Sequence, residues 1–418
     1  MAHVCLLGLG YIGLPTAASL SLHGNKVTGV DVRPNVVEDL KRGNVHVREP
    51  DLTAVVRDAL RTGNLVLSHE PVAADVFLLC VQSPLDGQRA DLRYLKAATE
   101  SVVPLLRAGN LVIVESTVPP GTTNNVVRPL LESSGLQAGR DFYLAFCPER
   151  VMPGQILREI VENDRVIGGI DAESAARAKE LYSTFVRGEI FTTDCTTAEF
   201  VKLIENAYRD VNIAFANDLS WMAERLGVNV WDAISLANRH PRVQVLRPGP
   251  GVGGHCIPVD SWFIMEAVGE SPLLRTTRNL NDAMPGRVVE MVLRDLEGVA
   301  SPKVAIWGVA YKGGVGDLRG SPGVEVVLQL SKRGVRVVAY DPHVPHNEFS
   351  LSPLDECVKD SDCIAVLADH REFRFIDPAS VGREMRHKYL IDTRNCLDHG
   401  RWRQAGFRVH VLGDGTAK

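Results

Sequence analysis

His3-Val4-Cys5-Leu6-Leu7-Gly8-Leu9-Gly10-Tyr11-Ile12-Gly13 decides the fold of the first third of the chain. Residues 3–9 form a short apolar run that reads as a strand. The glycine turn then opens a helix near 11–23, and a second strand, Lys26 to Val30, ends at Asp31. Glycines at 8, 10 and 13 let a backbone approach a pyrophosphate, and the helix start stabilises its charge. Asp31, eighteen residues after Gly13, stands where an acid accepts ribose hydroxyls. Strand, turn, helix and acid together predict a Rossmann-like dinucleotide site. A carboxylate there disfavours a 2′-phosphate, so NAD is expected rather than NADP. Arg33 has two readings, a partner for that phosphate or a solvated charge.

Outward from this unit the pattern continues. Val76–Val81, Leu111–Glu115 and Tyr143–Phe146 read as strands with helices between them, Lys96 to Leu106 among these. Alternating strand and helix predicts a parallel sheet covered on both faces. Thr197 to Leu226 is helical without Gly or Pro. Val230–Asn238 gives a further helix, and Met284–Leu296 another with Pro285 in its first turn. A second strand-helix series starts at Lys303. Its strands are Val304–Gly308, Val335–Ala339, Cys363–Leu367, Tyr389–Ile391 and Phe407–Val411, and its helix is Gly323–Lys332. The expected class is α/β: two Rossmann-like doubly wound lobes joined by a long central helix and an all-helical middle. The expected domains are 1–196, 197–299 and 300–418.

Composition narrows the function. The 418 residues are 45% hydrophobic and 23% charged, the balance of a globular protein with full cores. A net charge of −5 argues against nonspecific nucleic-acid binding. The first residues read as a strand rather than a signal peptide, and no apolar run reaches membrane-spanning length. Eight scattered cysteines without a C-x-x-C pair predict neither a metal site nor disulfides, and a cytoplasmic setting.

Gly249-Pro-Gly-Val-Gly-Gly-His-Cys256-Ile-Pro-Val-Asp260 carries the chemistry. Cys256 follows a glycine-rich loop and precedes a helix read from Ser261 to Glu266. A thiol at a helix start feels the positive end of the dipole and unpaired backbone donors, which favour thiolate. On the long helix Lys202, Asn206 and Arg209 share one face at i, i+4 and i+7. Lysine, amide and guanidinium on that face suit a sugar and a phosphate, and the lysine also suits a developing oxyanion. Read alone, the two charges are a solvated stripe. Glu115-Ser-Thr117-Val-Pro-Pro-Gly-Thr122 and Cys147-Pro-Glu149-Arg150 each follow a strand, on the edge that faces ligand in doubly wound sheets. Their bland readings are a helix cap for Thr122 and a surface pair for Glu149 and Arg150.

These motifs, with the Y-K-x-x-x-x-D-L-R-x-S-P run from Tyr311, occur in the order of the UDP-glucose/GDP-mannose dehydrogenase family, which the chain resembles over nearly its whole length. The resemblance implies NAD-dependent oxidation of a sugar C6 alcohol in two steps, through a thiohemiacetal and a thioester on Cys256. It implies that Lys202 is the general acid/base or the oxyanion stabiliser, that Asn206 joins it at the oxyanion, that Asp260 activates water, and that Glu149 and Thr117 help hold it. It places Gly8, Gly10, Tyr11, Ile12, Gly13, Asp31, Ser83, Thr117 and Arg319 at NAD. Arg150, Val151, Lys202, Asn206, Arg209, Gly253, Tyr311, Lys312 and Arg394 fall at the UDP-sugar, with His240 and Arg242 reaching in from a second subunit. A homodimer through the central helix is implied. Ser83 stands where the family commonly has threonine. Gly316 and Gly320 stand where acids are usual. His255 before the cysteine resembles the branch acting on UDP-N-acetylhexosamines. UDP-N-acetylmannosamine is favoured over UDP-N-acetylglucosamine, UDP-glucose and GDP-mannose. The competing classes are a two-electron hydroxyacid dehydrogenase, which needs neither Cys256 nor a second lobe, and a non-catalytic NAD-binding protein.

Overall fold

The computed structural model describes residues 2–47, 49–345 and 347–416. The chain divides into two compact units, residues 1–205 with 262–269, and residues 206–261 with 270–418.

In the first unit the strands are β1 His3–Leu7, β2 Lys26–Val30, β3 Leu65–Ser68, β4 Val76–Leu79, the two-residue hairpin strands β5 Leu85–Asp86 and β6 Arg89–Ala90, β7 Leu111–Val114, β8 Tyr143–Phe146, β9 Arg165–Gly169 and β10 Ile190–Asp194. Eight of them form one sheet in the order β10-β9-β8-β7-β4-β1-β2-β3. Side chains alternate between two cores, as the pleat requires. Val4, Leu6, Val76 and Leu78 face one, while Cys5, Leu7, Phe77 and Leu79 face the other. Continuous burial on both faces explains why these strands are unbroken apolar runs. The expected all-parallel sheet holds for every pair but one: β8 and β9 run antiparallel, joining Ala145 to Gly169. The order reverses between β1 and β4, which makes that crevice the ligand edge.

The second unit carries β11 Lys303–Trp307, β12 Arg336–Tyr340, β13 Cys363–Val366, β14 Tyr389–Asp392 and β15 Arg408–Val411. All are parallel, in the order β12-β11-β13-β14-β15. Val304 and Ile306 enter one core, Ala305 and Trp307 the other.

Three helix boundaries correct the sequence reading. The helix placed at 96–106 is Arg93–Val102 followed by a 3-10 turn at Val103–Leu105, because Pro104 cannot continue the ladder. The helix expected to begin at Met284 runs from Pro272 to Asp295. Ser271 caps it, accepting from Leu274 N, and Pro272 takes the first turn, leaving Pro285 buried in the interior. The helix read from Ser261 begins at Ile257, so Cys256 is its capping residue, with its carbonyl accepting from Asp260 N at 2.9 Å. The long helix spans Cys195–Leu226.

Candidate active site

Each unit brings together part of the expected site. In the first, Gly8 follows β1 with φ +101, and a β-carbon there would lie 2.4 Å from Cys80 O at the end of β4. A β-carbon at Gly13 would lie 1.9 Å from Gly8 O. These two glycines are demanded by packing. Gly10 is different: a β-carbon there meets nothing within 4 Å. That leaves open space beside a helix start. Ile12 precedes the helix Gly13–Leu22 without a side-chain cap; Leu14 N bonds Gly10 O at 3.2 Å and Pro15 has no N–H, so Gly13 N is the donor of the first turn that faces a ligand.

Asp31 is buried at the end of β2 and accepts from Leu9 N at 3.2 Å. Burial alone would raise its carboxyl, but hydrogen bonds from Arg33 outweigh this and hold it below the usual carboxylate range. Arg33 grips both oxygens, at 3.0 and 3.1 Å, from an exposed position. The arginine is therefore a partner of Asp31 here rather than a solvated charge. Half-buried Tyr11 reaches Glu49 at 3.5 Å, and Ser83 Oγ donates to Thr117 O.

Glu149 and Arg150 are not a surface pair with each other. Glu149 is buried, accepting from Arg165 at 2.8 Å and from Arg150 N at 2.7 Å. Arg150 instead pairs with Glu205 at 2.7 Å, beside half-buried Val151. Nor does Thr122 cap by its side chain, which donates back to Pro119 O. The cap is Glu199, a buried carboxylate that takes Gly121 N, Thr123 N and Thr123 Oγ1. Glu115 accepts from Tyr182 Oη and from Cys80 Sγ. Burial pushes its carboxyl up to about 7 despite the nearby Arg165 charge. Sequence spacing carried no signal for Glu199, Arg165 or Tyr182, whose partners are distant in the chain. Lys202 is half-buried on the long helix and makes no hydrogen bond or ion pair among the described residues.

In the second unit, Asn206 Nδ2 donates to Asp260 Oδ2 at 2.6 Å, both residues being buried. Asp260 lies in the first turn of the helix that Cys256 begins. Of the eight cysteines, Cys256 alone is exposed. Its sulfur lies 3.7 Å from His255 Nδ1. The glycine loop before it packs on Tyr311: a β-carbon at Gly253 would stand 2.7 Å from Tyr311 Cβ, and one at Gly254 would meet the ring at 3.1 Å. Burial raises the Tyr311 phenol, and Asp317 and Cys256 push the same way against Arg319 and Arg209. Arg209 and Arg319 thus share one electrostatic neighbourhood with Cys256 and Tyr311. Arg319 is paired with Asp317, and Lys312 is exposed. Arg394 bonds Asp369 at 3.3 Å and lies against Gly249. His240 and Arg242 are exposed on the turn after the helix Val230–Ala237, with His240 Nδ1 accepting from Arg242 N. His343, His370 and Glu372 bring ligand atoms within 4.8 Å of one another. Both His370 ring nitrogens are already engaged, by Asp341 and Gly314 N.

Comparison with known proteins gives the family. Residues 2–186 match the NAD binding domain of the UDP-glucose/GDP-mannose dehydrogenase family, 196–283 its central domain and 305–399 its UDP binding domain. The chain is 47% identical to a UDP-N-acetyl-D-mannosamine dehydrogenase of Methanococcus maripaludis, covering 99% of this chain and 97% of that protein. It is 48% identical to one of Methanocaldococcus jannaschii, covering 99% and 96%. The solved UDP-D-ManNAc dehydrogenase of Pyrococcus horikoshii superposes with a TM-score of 0.94 at 41% identity, covering 99% and 100% of the two chains. The chain belongs to the UDP-glucose/GDP-mannose dehydrogenase family and is an NAD-dependent nucleotide-sugar dehydrogenase.

Proposed function

We propose that the enzyme oxidises the C6 alcohol of a UDP-N-acetylhexosamine, UDP-N-acetylmannosamine foremost, to the uronic acid by removal of four electrons. The observation that carries this is Cys256, the one exposed thiol, placed at a helix N-terminus one turn from the Asp260–Asn206 pair. An aldehyde lacks a convenient hydride to give, whereas its tetrahedral thiol adduct has one. A two-electron dehydrogenase needs no such residue.

NAD, bound at the Gly8–Gly13 turn and Asp31, would supply the hydride acceptor, one molecule for each of the two oxidations. Lys202 takes the alcohol proton as the C6 hydride leaves. Cys256 thiolate bonds to the resulting aldehyde carbon as the C=O π bond breaks, and the former carbonyl oxygen takes the proton back from Lys202. Lys202 and Asn206 donate to that oxygen. After the second hydride departs, the same oxygen gives its proton to Lys202 and C6 is a thioester. Asp260, oriented by Asn206, takes a proton from water. The water oxygen bonds to C6, the C–S bond breaks, and the uronic acid leaves Cys256 as thiolate. Glu149 and Thr117 hold the water. Arg150, Val151, Arg209, Gly253, Tyr311, Lys312 and Arg394 bind the sugar nucleotide, while Ser83, Thr117 and Arg319 complete the NAD site.

Residues 1–196, 197–299 and 300–418 serve as cofactor, dimerisation and UDP-sugar domains. Phe200, Ile204, Tyr208, Phe215, Met222 and Leu226 are all exposed and recur at helical spacing on the long helix, which supports a homodimer there. His240 and Arg242 then reach the partner's site. No helix among the described residues is long and apolar enough to cross a membrane. No disulfide joins any of the eight cysteines, which supports a cytoplasmic enzyme.

NADH is counted from limiting UDP-N-acetylmannosamine, UDP-N-acetylglucosamine, UDP-glucose and GDP-mannose, each assayed separately with product mass. Two NADH and a uronate from the first are expected, and Cys256→Ala should form no acid while still binding NAD. One NADH with no acid would overturn the thioester route, and turnover on another sugar alone would overturn the substrate.

A further inference from the structure

Beneath the Cys256 loop lies a chain of buried polar groups that none of the proposed chemical steps uses. Gly249 N, at the start of the loop, donates to Asn217 Oδ1 at 2.9 Å. Asn217 Nδ2 donates to Asn281 Oδ1 at 2.9 Å. Asn281 Nδ2 donates in turn to Asp210 Oδ1 at 2.8 Å and to the Asp210 carbonyl at 3.1 Å. Asp210 Oδ2 accepts from Ser261 Oγ at 2.9 Å, and Arg278 neutralises the carboxylate from 2.7 Å. Asp210, Asn217 and Ser261 are fully inaccessible, and Arg278 and Asn281 nearly so.

The amide orientations follow from chemistry. A backbone N–H can only donate and a carboxylate can only accept, so each amide between them has one consistent direction. Buried polar groups are costly unless bonded, and a fully satisfied network specifies one arrangement. The loop also passes close to Asn281 itself. Pro285 has no N–H, so the helical bond to the carbonyl four residues back, Asn281 O, is not made. A β-carbon at Gly251, inside the loop, would lie 3.3 Å from that carbonyl.

We propose that Asn281 is a positioning residue that ties the two ends of the Gly249–Ser261 segment to one buried anchor, fixing the loop that leads into Cys256 against the helix that begins there. The proposal rests on the reading of Cys256 as nucleophile. Its geometric content is a fixed loop, which thiol reactivity reports without any turnover.

The test uses the full-length enzyme. Alkylation of Cys256 by iodoacetamide is followed by peptide mass across pH, beside kcat, KM for NAD and for UDP-N-acetylmannosamine, and thermal midpoint. Asn281→Ala should shift the pH midpoint of alkylation and lower kcat at least tenfold, with KM for NAD within twofold of native. Ser261→Ala, which removes one hydroxyl and should fold, should move both readouts the same way by a smaller factor. Asn217→Ala combined with Ser261→Ala should approach the Asn281→Ala values. Native alkylation and kcat per folded molecule in Asn281→Ala would overturn the proposal, leaving a packing role. Should that variant not fold, native behaviour of Ser261→Ala would overturn it equally. Uronate formation by Cys256→Ala would sink the nucleophile reading instead, and the alkylation results would still decide whether the loop is anchored.

Discussion

Gly10 and Gly13 belong to one fingerprint yet should fail in opposite ways when each is changed to alanine. At Gly10 the added methyl meets no atom of the protein within 4 Å. The folded enzyme loses nothing, and the unfolded chain loses freedom, so stability should hold or rise by about 0.4–1 kcal/mol. The methyl fills the space a pyrophosphate needs and forces the ligand off the backbone donors. Hydrogen bonds to charged groups contribute about 1.5–3 kcal/mol, so losing one raises Kd for NAD about ten- to a hundredfold. At Gly13 the methyl would sit 1.9 Å from Gly8 O and 3.1 Å from Cys80 Cβ. Backbone must move, and overpacking of this kind costs about 1–3 kcal/mol or more. The thermal midpoint should then fall by several degrees. Calorimetric titration with NAD and scanning calorimetry on both variants separate the two effects. Native NAD affinity in Gly10→Ala would refute the assignment of that open space to the cofactor.

Other consequences follow from the same geometry. Glu115, raised to about 7, holds its proton in the folded enzyme at pH values where the unfolded chain has lost it. The folded state binds more protons between roughly pH 4.5 and 7, so stability should fall as pH rises through that window. Each pH unit across it removes at most about 1.4 kcal/mol. Glu115→Gln should flatten the dependence in midpoints measured from pH 5 to 9; an unchanged slope would place the titration elsewhere. Phe215, exposed in the apolar stripe of the long helix, should lie in the dimer interface. Phe215→Glu should therefore give monomer by light scattering at micromolar concentration, and a persistent dimer would move the interface off that face. Asp31→Ala should weaken NAD binding at little cost in stability, whereas Asp341→Ala should lower the thermal midpoint and leave NAD affinity native.

The first βαβ unit was legible because its signals are local. An apolar run, a glycine turn and a strand-end acid lie within 29 residues, and the helix and strands stand within two residues of their predicted bounds. The central helix was legible by length alone, beginning two residues before the expected Thr197. Strands β3, β5, β6, β9 and β10 are absent from the sequence reading, and β9 and β10 share a cause. Arg165 in one, and Thr192, Thr193 and Asp194 in the other, break the apolar run that marks a strand buried on both faces. Pro285 was misread because proline suits a first turn, and only tertiary packing reveals that the helix had begun at Pro272. The reactive loop was legible as chemistry but its support was not. Asp210 meets Arg278 and Asn281 across 68 and 71 residues, so no spacing rule links them.

The two lobes pose one question twice and answer it differently. Gly8 N donates to Val30 O at 2.7 Å, and Gly308 N to Tyr340 O at 2.8 Å. Leu9 N then bonds the strand-end acid Asp31, and Val309 N bonds Asp341. In each sheet the glycine abuts the strand across the switch point, through Cys80 O in one and Ala368 in the other. The local turn is the same, so the turn alone does not decide what binds. The difference is in what fills the carboxylate. Asp341 takes Val309 N, Ala310 N and His370 on one oxygen, and His343 N and Val344 N on the other. Burial would raise its carboxyl, yet these donors, His370 foremost, hold it near 2. A carboxylate offers about four lone-pair sites, so none remains for a ribose. Asp31 takes Leu9 N, Arg33 N and, on both oxygens, the Arg33 side chain, which is 57% exposed. Withdrawal of that exposed side chain would return two acceptors to the crevice. A sequence fingerprint counts glycines and an acid; the binding property lies in how many donors the protein has already spent on that acid.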